Sequence, residues 1–332
     1  MENKTRSTAD HKMLEAHLLA FITIFIWGTT YISTKMLLFE FTPTEILFFR
    51  FIIAYLVLLA LRPDRIPFRS PKEELLFACA GFCGVALYFT LQNTSLVYTL
   101  ASNAGVLISV APFFTAIFSC FLLKEEPPRK NFFIGFAFSI VGIFLISFNG
   151  NFILKLNPLG DVLAISCAAA WAIYSVLMKK ISILDYPVIL CTRKIFFYGI
   201  ILMAPMLPFF GFHWNLSRFT YLPNVFHLLF LGLGASALCF VTWNYAVGVL
   251  GAVRTSVYIY FNPIVTVVTS AIILHERITA VAVLGTALIL AGLYLSEKDS
   301  FRKDIAEKNT ARKGKKTYES LRNETGDPDP EE

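Results

Sequence analysis

Charged side chains are scarce in this chain, and the places they avoid are informative. Asp, Glu, Lys and Arg make up only 16% of the residues. No Asp or Glu lies deep in a long apolar run, and His11, His17, His213, His227 and His275 are all terminal, interfacial or in loops. The proton relays of membrane pumps need such groups at depth, so obligate proton coupling is not supported and uniport or solute exchange gains ground. Glu45 and Asp161, near the ends of apolar runs, are weak candidates. No Gly-x-x-x-x-Gly-Lys loop offers to hold a nucleotide. No His-Glu-x-x-His pair or Gly-x-Ser-x-Gly elbow offers hydrolytic chemistry. The six Cys (Cys79, Cys83, Cys120, Cys167, Cys191 and Cys239) fall in apolar stretches without metal-ligand spacing and read as small core residues. No metal, cofactor or enzymatic activity is implied.

What is present is apolar surface. Hydrophobic residues make up 56% of the chain, and the mean hydropathy is +0.63. A water-soluble domain of that composition would expose large aggregating patches. Apolar runs long enough to cross a bilayer recur at about residues 14–34, 44–61, 74–97, 101–122, 131–148, 158–178, 187–208, 225–248, 252–274 and 280–297. The expectation is an all-α integral membrane protein of ten transmembrane helices with both termini on one face. With the N-terminus inside, thirteen Lys and Arg fall on inner segments ahead of the C-terminal tail, against Lys35, Lys155, Arg218 and Arg277 outside. The positive-inside rule then makes both termini cytoplasmic, in a multi-pass protein of the cytoplasmic (inner) membrane. The net charge of +6 sits in the termini and alternate loops, which suits a lipid bilayer with an anionic leaflet and not a nucleic acid. The tail at 298–332 is polar and of mixed charge, and is expected to be disordered.

The chain repeats itself. At a shift of 151, Gly81, Asn93, Pro112 and Glu125 fall on Gly232, Asn244, Pro263 and Glu276; at 150, Gly135 and Gly142 fall on Gly285 and Gly292. Trp27 meets Trp171 at 144 and Arg50 meets Arg193 at 143, so the register changes only in loops. The segments are a cytoplasmic N-terminal stretch at 1–13, a first repeat at 14–148, an external linker at 149–157, a second repeat at 158–297 and the tail. Five helices per repeat is an odd number, so the halves enter the membrane from opposite sides. Inverted repeats suit alternating access around a site near the midplane.

Phe-Ile-Trp-Gly-Thr-Thr-Tyr from Phe25, Thr-Glu-Ile-Leu-Phe-Phe-Arg ending at Arg50, Ala101-Ser102-Asn103-Ala104, Ala111-Pro112 and Lys124-Glu125-Glu126 follow one another in the first half. Gly160-Asp161, Ala170-Trp171-Ala172, Phe261-Asn262-Pro263 and His275-Glu276-Arg277 follow in the second. This ordered set resembles the EamA type of the drug/metabolite transporter superfamily over about residues 14–297. The resemblance implies ten helices as two inverted EamA-like repeats and cytoplasmic termini. It further implies carriage of a small organic solute, such as an amino acid or related metabolite, often by efflux. Helices one, three, four, six, eight and nine would surround the cavity. One departure is that Arg193-Lys194 has no acidic partner matching Glu45.

A carrier cavity needs a few polar groups and apolar or aromatic walls. Tyr88, Gln92 and Ser95 share one helix face, with Asn93 beside them. Trp27 and Tyr31, Asn103, Trp171 and Tyr174, Trp243 and Asn244, and Tyr258 and Asn262 complete the substrate-binding candidates. Their aromatic character would suit a planar or cationic substrate. Interhelical hydrogen bonds and interfacial aromatic belts are the plainer alternatives. Pro112 and Pro263, read as mid-helix, are hinge candidates or tolerated membrane prolines. Arg50 and Arg193, with Glu45, are candidates for a charge that attracts an anionic substrate or latches a gate, or for interfacial anchors. The Gly135–Ser139–Gly142 stripe and Gly285 with Gly292 allow close packing within the bundle or in a homodimer. A non-transporting membrane subunit or receptor is the rival reading.

Overall fold

The computed structural model describes residues 2–98, 107–148, 158–213, 215–273, 279–296 and 298; within them there are helices and no strand. Asn103, the linker at 149–157 and nearly all of the tail lie outside the described residues. Helix α1 spans Glu2–Leu37 and α2 spans Pro43–Leu61. Helix α3 runs through three consecutive segments, Pro71–Gly81, Phe82–Leu87 and Tyr88–Tyr98. Then come α4 (Ala111–Leu122), α5 (Lys130–Phe148), α6 (Pro158–Ser182) and α7 (Val188–Met203). Helix α8 is again in three segments, Leu222–Leu229, Phe230–Leu238 and Cys239–Leu250. So is α9, as Ala252–Ser256, Val257–Phe261 and Asn262–Ile273; α10 is Ala280–Ser296.

Among the described residues, six stretches are long and apolar enough to cross a membrane: His11–Thr30, Pro43–Leu61, Pro71–Gln92, Pro158–Ser182, Val188–Phe209 and Leu222–Leu250. Ala111–Leu122, Lys130–Leu145 and Ala280–Ser296 are shorter apolar helices. The protein is a multi-pass helical membrane protein. Its outward faces carry Phe21, Leu56, Phe121, Val141, Ile201 and Leu284, all exposed, as helices apolar on every side do in lipid. The inward faces bury Phe51, Tyr174, Phe196, Phe240 and Trp243 completely.

Local sequence explains several element ends. Helix α2 begins with a capping box: the Glu45 backbone N–H donates to Thr42 Oγ1 at 3.3 Å and the Thr42 N–H donates to Glu45 Oε2 at 2.7 Å, with Pro43 in the first turn. Helix α1 runs unbroken from Glu2, with neither Gly nor Pro before Gly28 to interrupt it. Helices α8 and α9 part at Gly251, whose φ of +92° is costly for a side chain with a Cβ. The prolines depart from the sequence reading. Pro112 and Pro263 are each the second residue of a helical segment, after a turn at Ser109–Val110 and after the 3₁₀ turn Val257–Phe261. A first-turn proline lacks an N–H that has no partner there in any case, so the interruption precedes the ring and the ring does not kink a continuous helix.

Packing partners come in exchanged pairs. Helix α1 lies on α8 and α9, while α6 lies on α3 and α4; α2 packs on α8 and α7 packs on α3. Helices α2 and α7 also touch each other. The small-residue stripes of α5 and α10 meet each other inside this chain: a Cβ on Gly292 would stand 2.5 Å from the Gly135 carbonyl oxygen, and one on Gly142 would stand 2.5 Å from that of Gly285.

Candidate functional site

A cavity of about 380 Å³ opens between these helices. Ile24, Trp27, Thr30 and Thr34 line it as a stripe along α1 that continues to Leu38 just past its end, and Pro43, Ile46, Leu47 and Arg50 line it from α2. Tyr88, Phe89 and Gln92 of α3, Trp171 of α6, Phe240 of α8, and Ile259 and Asn262 of α9 close the other sides, with Ile108 and Ala111 at the start of α4. The stripe reaches Leu38 and Pro43 beside the α1–α2 loop and stops at Ile24. The cavity therefore spans only the half of the bundle on the α1–α2 side.

The opposite half is tied by buried polar contacts. Thr23 and Thr242 share a hydroxyl hydrogen bond of 2.6 Å immediately beyond Ile24. The Tyr174 hydroxyl donates to Asn244 Oδ1 at 2.6 Å, and Asn244 Nδ2 donates to Thr192 Oγ1 at 2.9 Å, joining α6, α8 and α7 with no exposed atom between them. Further along, Lys179 donates to the Gly248 carbonyl at 2.6 Å, and His17 Nδ1 lies 2.7 Å from the Tyr258 hydroxyl.

The cavity floor is aromatic. Trp27 stands 5.4 Å from Trp171, 5.2 Å from Trp243 and 5.9 Å from Phe240, ring centre to ring centre, and Tyr88 stands 5.0 Å from Trp171. Two cavity residues lock onto the wide turn Phe230–Leu238 of α8. The Trp27 indole N–H donates to the Ala235 carbonyl at 2.9 Å, and Arg50 Nε donates to Ser236 Oγ at 2.8 Å. A π-type turn displaces carbonyls from their helical partners, which is why it can receive an outside donor. Arg50 is only 8% exposed, and its guanidinium carbon lies 5.2 Å from the Phe89 ring centre and 5.6 Å from that of Phe51.

Of the sequence-derived substrate candidates, Trp27, Tyr88, Gln92, Trp171 and Asn262 line the cavity. Tyr174, Trp243 and Asn244 do not reach it: they are completely buried below the floor, and the amide of Asn244 is used by its two neighbours. Tyr258 also lies off the cavity, with His17. The side chains of Tyr31 and Asn93 and the whole of Asn103 lie outside the described residues. Thr30, Thr34, Phe89, Phe240 and Ser236 were missed. The i, i+3, i+7 and i+11 spacing of Trp27, Thr30, Thr34 and Leu38 is the signal that would have found the first two.

The other charged candidates sit at the ends of the bundle. Buried Glu45 takes Arg218 at 2.8 Å and 3.0 Å and the His213 N–H at 2.8 Å, so it ties the α7–α8 loop to the start of α2. Its hydrogen bond raises the pKa of Arg218, which also lies over the Phe41 ring at 4.4 Å. At the opposite end Arg193 donates to the carbonyls of Arg62 and Asp64, and Lys194 pairs with Glu74 at 2.6 Å. The missing acidic partner of α7 is thus supplied from α3.

Comparisons with known proteins agree with this architecture. The EamA-like transporter family matches twice, at residues 14–148 and 158–297. An uncharacterized transporter of Archaeoglobus fulgidus is 31% identical over 288 residues, covering 85% of this chain and 97% of that one. A probable amino-acid metabolite efflux pump of Salmonella typhimurium is 23% identical over 294 residues, covering 84% and 93%. A crystal structure at 20% identity superposes with a TM-score of 0.71 over 86% of this chain and 98% of the other, which fixes the likeness in fold.

Proposed function

Since the chain belongs to the EamA-like transporter family, we propose that it is a secondary carrier. It moves a small organic metabolite, an amino acid or a related compound, across the cytoplasmic membrane by alternating access, in export or exchange. The observation that carries this reading is the one-sided cavity. It reaches the aromatic floor at Trp27 and Trp171 from the α1–α2 end, while the opposite half is closed by the Thr23–Thr242 and Tyr174–Asn244–Thr192 contacts. A carrier caught facing one side has this form. With the basic residues placed inside, the open side is the external one and both termini are cytoplasmic.

The exchanged packing pairs support two inverted five-helix halves and ten spans. Exchanging α1 with α6, α3 with α8 and α4 with α9 turns the contacts of one half into those of the other. The breaks ahead of Pro112 and Pro263 fall at equivalent places and supply the flexible points about which the halves rock. The Salmonella relative's name supports amino-acid-like cargo and outward movement.

Flux into proteoliposomes from a mixture of labelled amino acids and their metabolites tests the reading. Saturable uptake that is lost in Gln92→Ala and in Trp171→Ala is expected. Specific binding of a mixture component without any movement would instead make the protein a receptor or accessory subunit.

A further inference from the structure

Arg50 is a buried cation without a counter-charge among the described residues. It is 92% buried, since 8% of its surface is exposed, and among the described residues it has no ion pair. Glu45, five positions earlier, is taken by Arg218. Of the guanidinium nitrogens only Nε is committed, to Ser236 at 2.8 Å, and the Phe51 and Phe89 rings hold the group in place. The two terminal nitrogens make no hydrogen bond among the described residues, and the residue lines the cavity. With Nε used, the geometry left is the end-on fork of two parallel N–H donors, which fits a carboxylate. Leaving such a charge unmatched away from water is costly, so the site favours an anion arriving in it.

The remaining polar groups of the cavity are neutral: Thr30, Thr34, Tyr88, Gln92 and Asn262. No Asp or Glu lines it among the described residues. A ligand ammonium would find only neutral oxygens there and would be repelled by the guanidinium. We infer that this cavity selects organic monoanions: a single carboxylate docks on Arg50, an apolar body lies against Trp27, Trp171 and Phe240, and an amine is dispensable. Deaminated or 2-oxo carboxylates then bind at least as well as the corresponding amino acids, and amines and amides bind poorly. The inference rests on the carrier reading for its role in transport, though not for binding itself.

The test uses the purified full-length protein in detergent micelles, with tryptophan fluorescence as the binding signal because Trp27 and Trp171 line the cavity. The ligands are 4-methylpentanoate and 3-phenylpropionate, their carboxamides, and leucine and phenylalanine. At least one acid is expected to saturate the signal, to bind roughly ten- to a hundredfold more tightly than its amide, and to bind no more weakly than its amino acid. In Arg50→Gln the preference for acid over amide is expected to vanish, and Arg50→Lys is expected to restore part of it. Equal binding of acid and amide by the wild-type protein overturns the inference without recourse to any variant, as does absence of binding by both acids. The same ligands in proteoliposomes separate the two readings. Acid-selective binding with no flux ends the carrier reading and leaves the anion site standing. Flux of amides or amines that survives Arg50→Gln ends the anion site and leaves the carrier standing.

Discussion

Arg50 on α2 and Arg193 on α7 stand 143 residues apart at matching places in two segments that match the same family. Arg50 meets Ser236 in the wide turn of α8, keeps its terminal nitrogens uncommitted among the described residues, and lines a cavity. Arg193 is spent on the carbonyls of Arg62 and Asp64 at the end of the bundle. Counting back 151 positions from Ser236 gives Val85 in the wide turn of α3, a completely buried residue against which a Cβ on Gly199 would stand 2.6 Å away. Arg193 of the second half therefore has no matching hydroxyl to meet in the first, where Val85 is closely packed against Gly199. The same divergence separates Gln92, which lines the cavity, from its counterpart Trp243 beneath the floor. A shared scaffold transmits helix positions and close-packing glycines; whether a matched polar residue faces space or neighbours is decided by one or two residues opposite it.

The largest effect expected of a single change comes from the packed half. Asn244→Leu leaves the Tyr174 hydroxyl and the Thr192 hydroxyl without their shared amide in a dry interior, and should destabilise the protein by about 2–3 kcal/mol. Gln92→Leu, on the hollow side, should change stability by no more than about 0.5 kcal/mol while abolishing flux. Thermal unfolding in detergent read beside proteoliposome uptake checks both. If Gln92→Leu were the more destabilising of the two, the division into a hollow and a packed half would be broken.

The all-helical membrane fold was legible from hydropathy, because lipid forces long apolar helices. The meeting of Gly142 with Gly285 and of Gly135 with Gly292 follows from small residues whose only use is close approach. The site was legible only in part. Asn244 and Gln92 are both amides in apolar helices, and nothing in their own neighbourhoods says that one is enclosed by Tyr174 and Thr192, which come from helices remote in sequence. Arg50 could be ranked no higher than Arg193, because Ser236 lies 186 residues away and the wide turn that presents it has no strong sequence signal. The candidate aromatic rings suit a planar or a cationic substrate alike, and only the structure adds that the Arg50 guanidinium lies against Phe51 and Phe89 beside them.

The two arginines should also respond oppositely to the same substitution. Arg193→Gln removes two charge-assisted hydrogen bonds that fix the α2–α3 loop and should cost about 1.5 kcal/mol of stability, with flux reduced no more than the folded fraction. Arg50→Gln removes a buried cation that has no ion pair among the described residues and should leave the unfolding temperature unchanged or raise it, since a neutral amide can still meet Ser236. Chemical denaturation of the two variants side by side, without added ligand, gives the sign directly. A loss of stability in Arg50→Gln as large as in Arg193→Gln would mean that both arginines are structural and that the cavity's charge is incidental.

The smallest effect concerns the two ends. Glu45–Arg218 at 2.8 Å, with a buried carboxylate, and Lys194–Glu74 at 2.6 Å, with a partly exposed one, are ion pairs at the mouth of the cavity and at the opposite end. Each is expected to contribute a coupling of about 1 kcal/mol in a double-mutant cycle, since at least one partner of each pair retains some contact with solvent. Their effect on transport should differ. The cavity reaches the mouth with Glu45 and Arg218 joined, so that pair fastens the α7–α8 loop without closing the mouth. Lys194 and Glu74 join α7 to α3 at the end that would have to loosen in the proposed alternating access, so on that proposal Lys194→Gln should raise the rate of exchange and Arg218→Gln should leave it within about twofold. Equal rate changes in the two variants would show that the ends are only fastened alike, and that the asymmetry of the cavity is set by its floor.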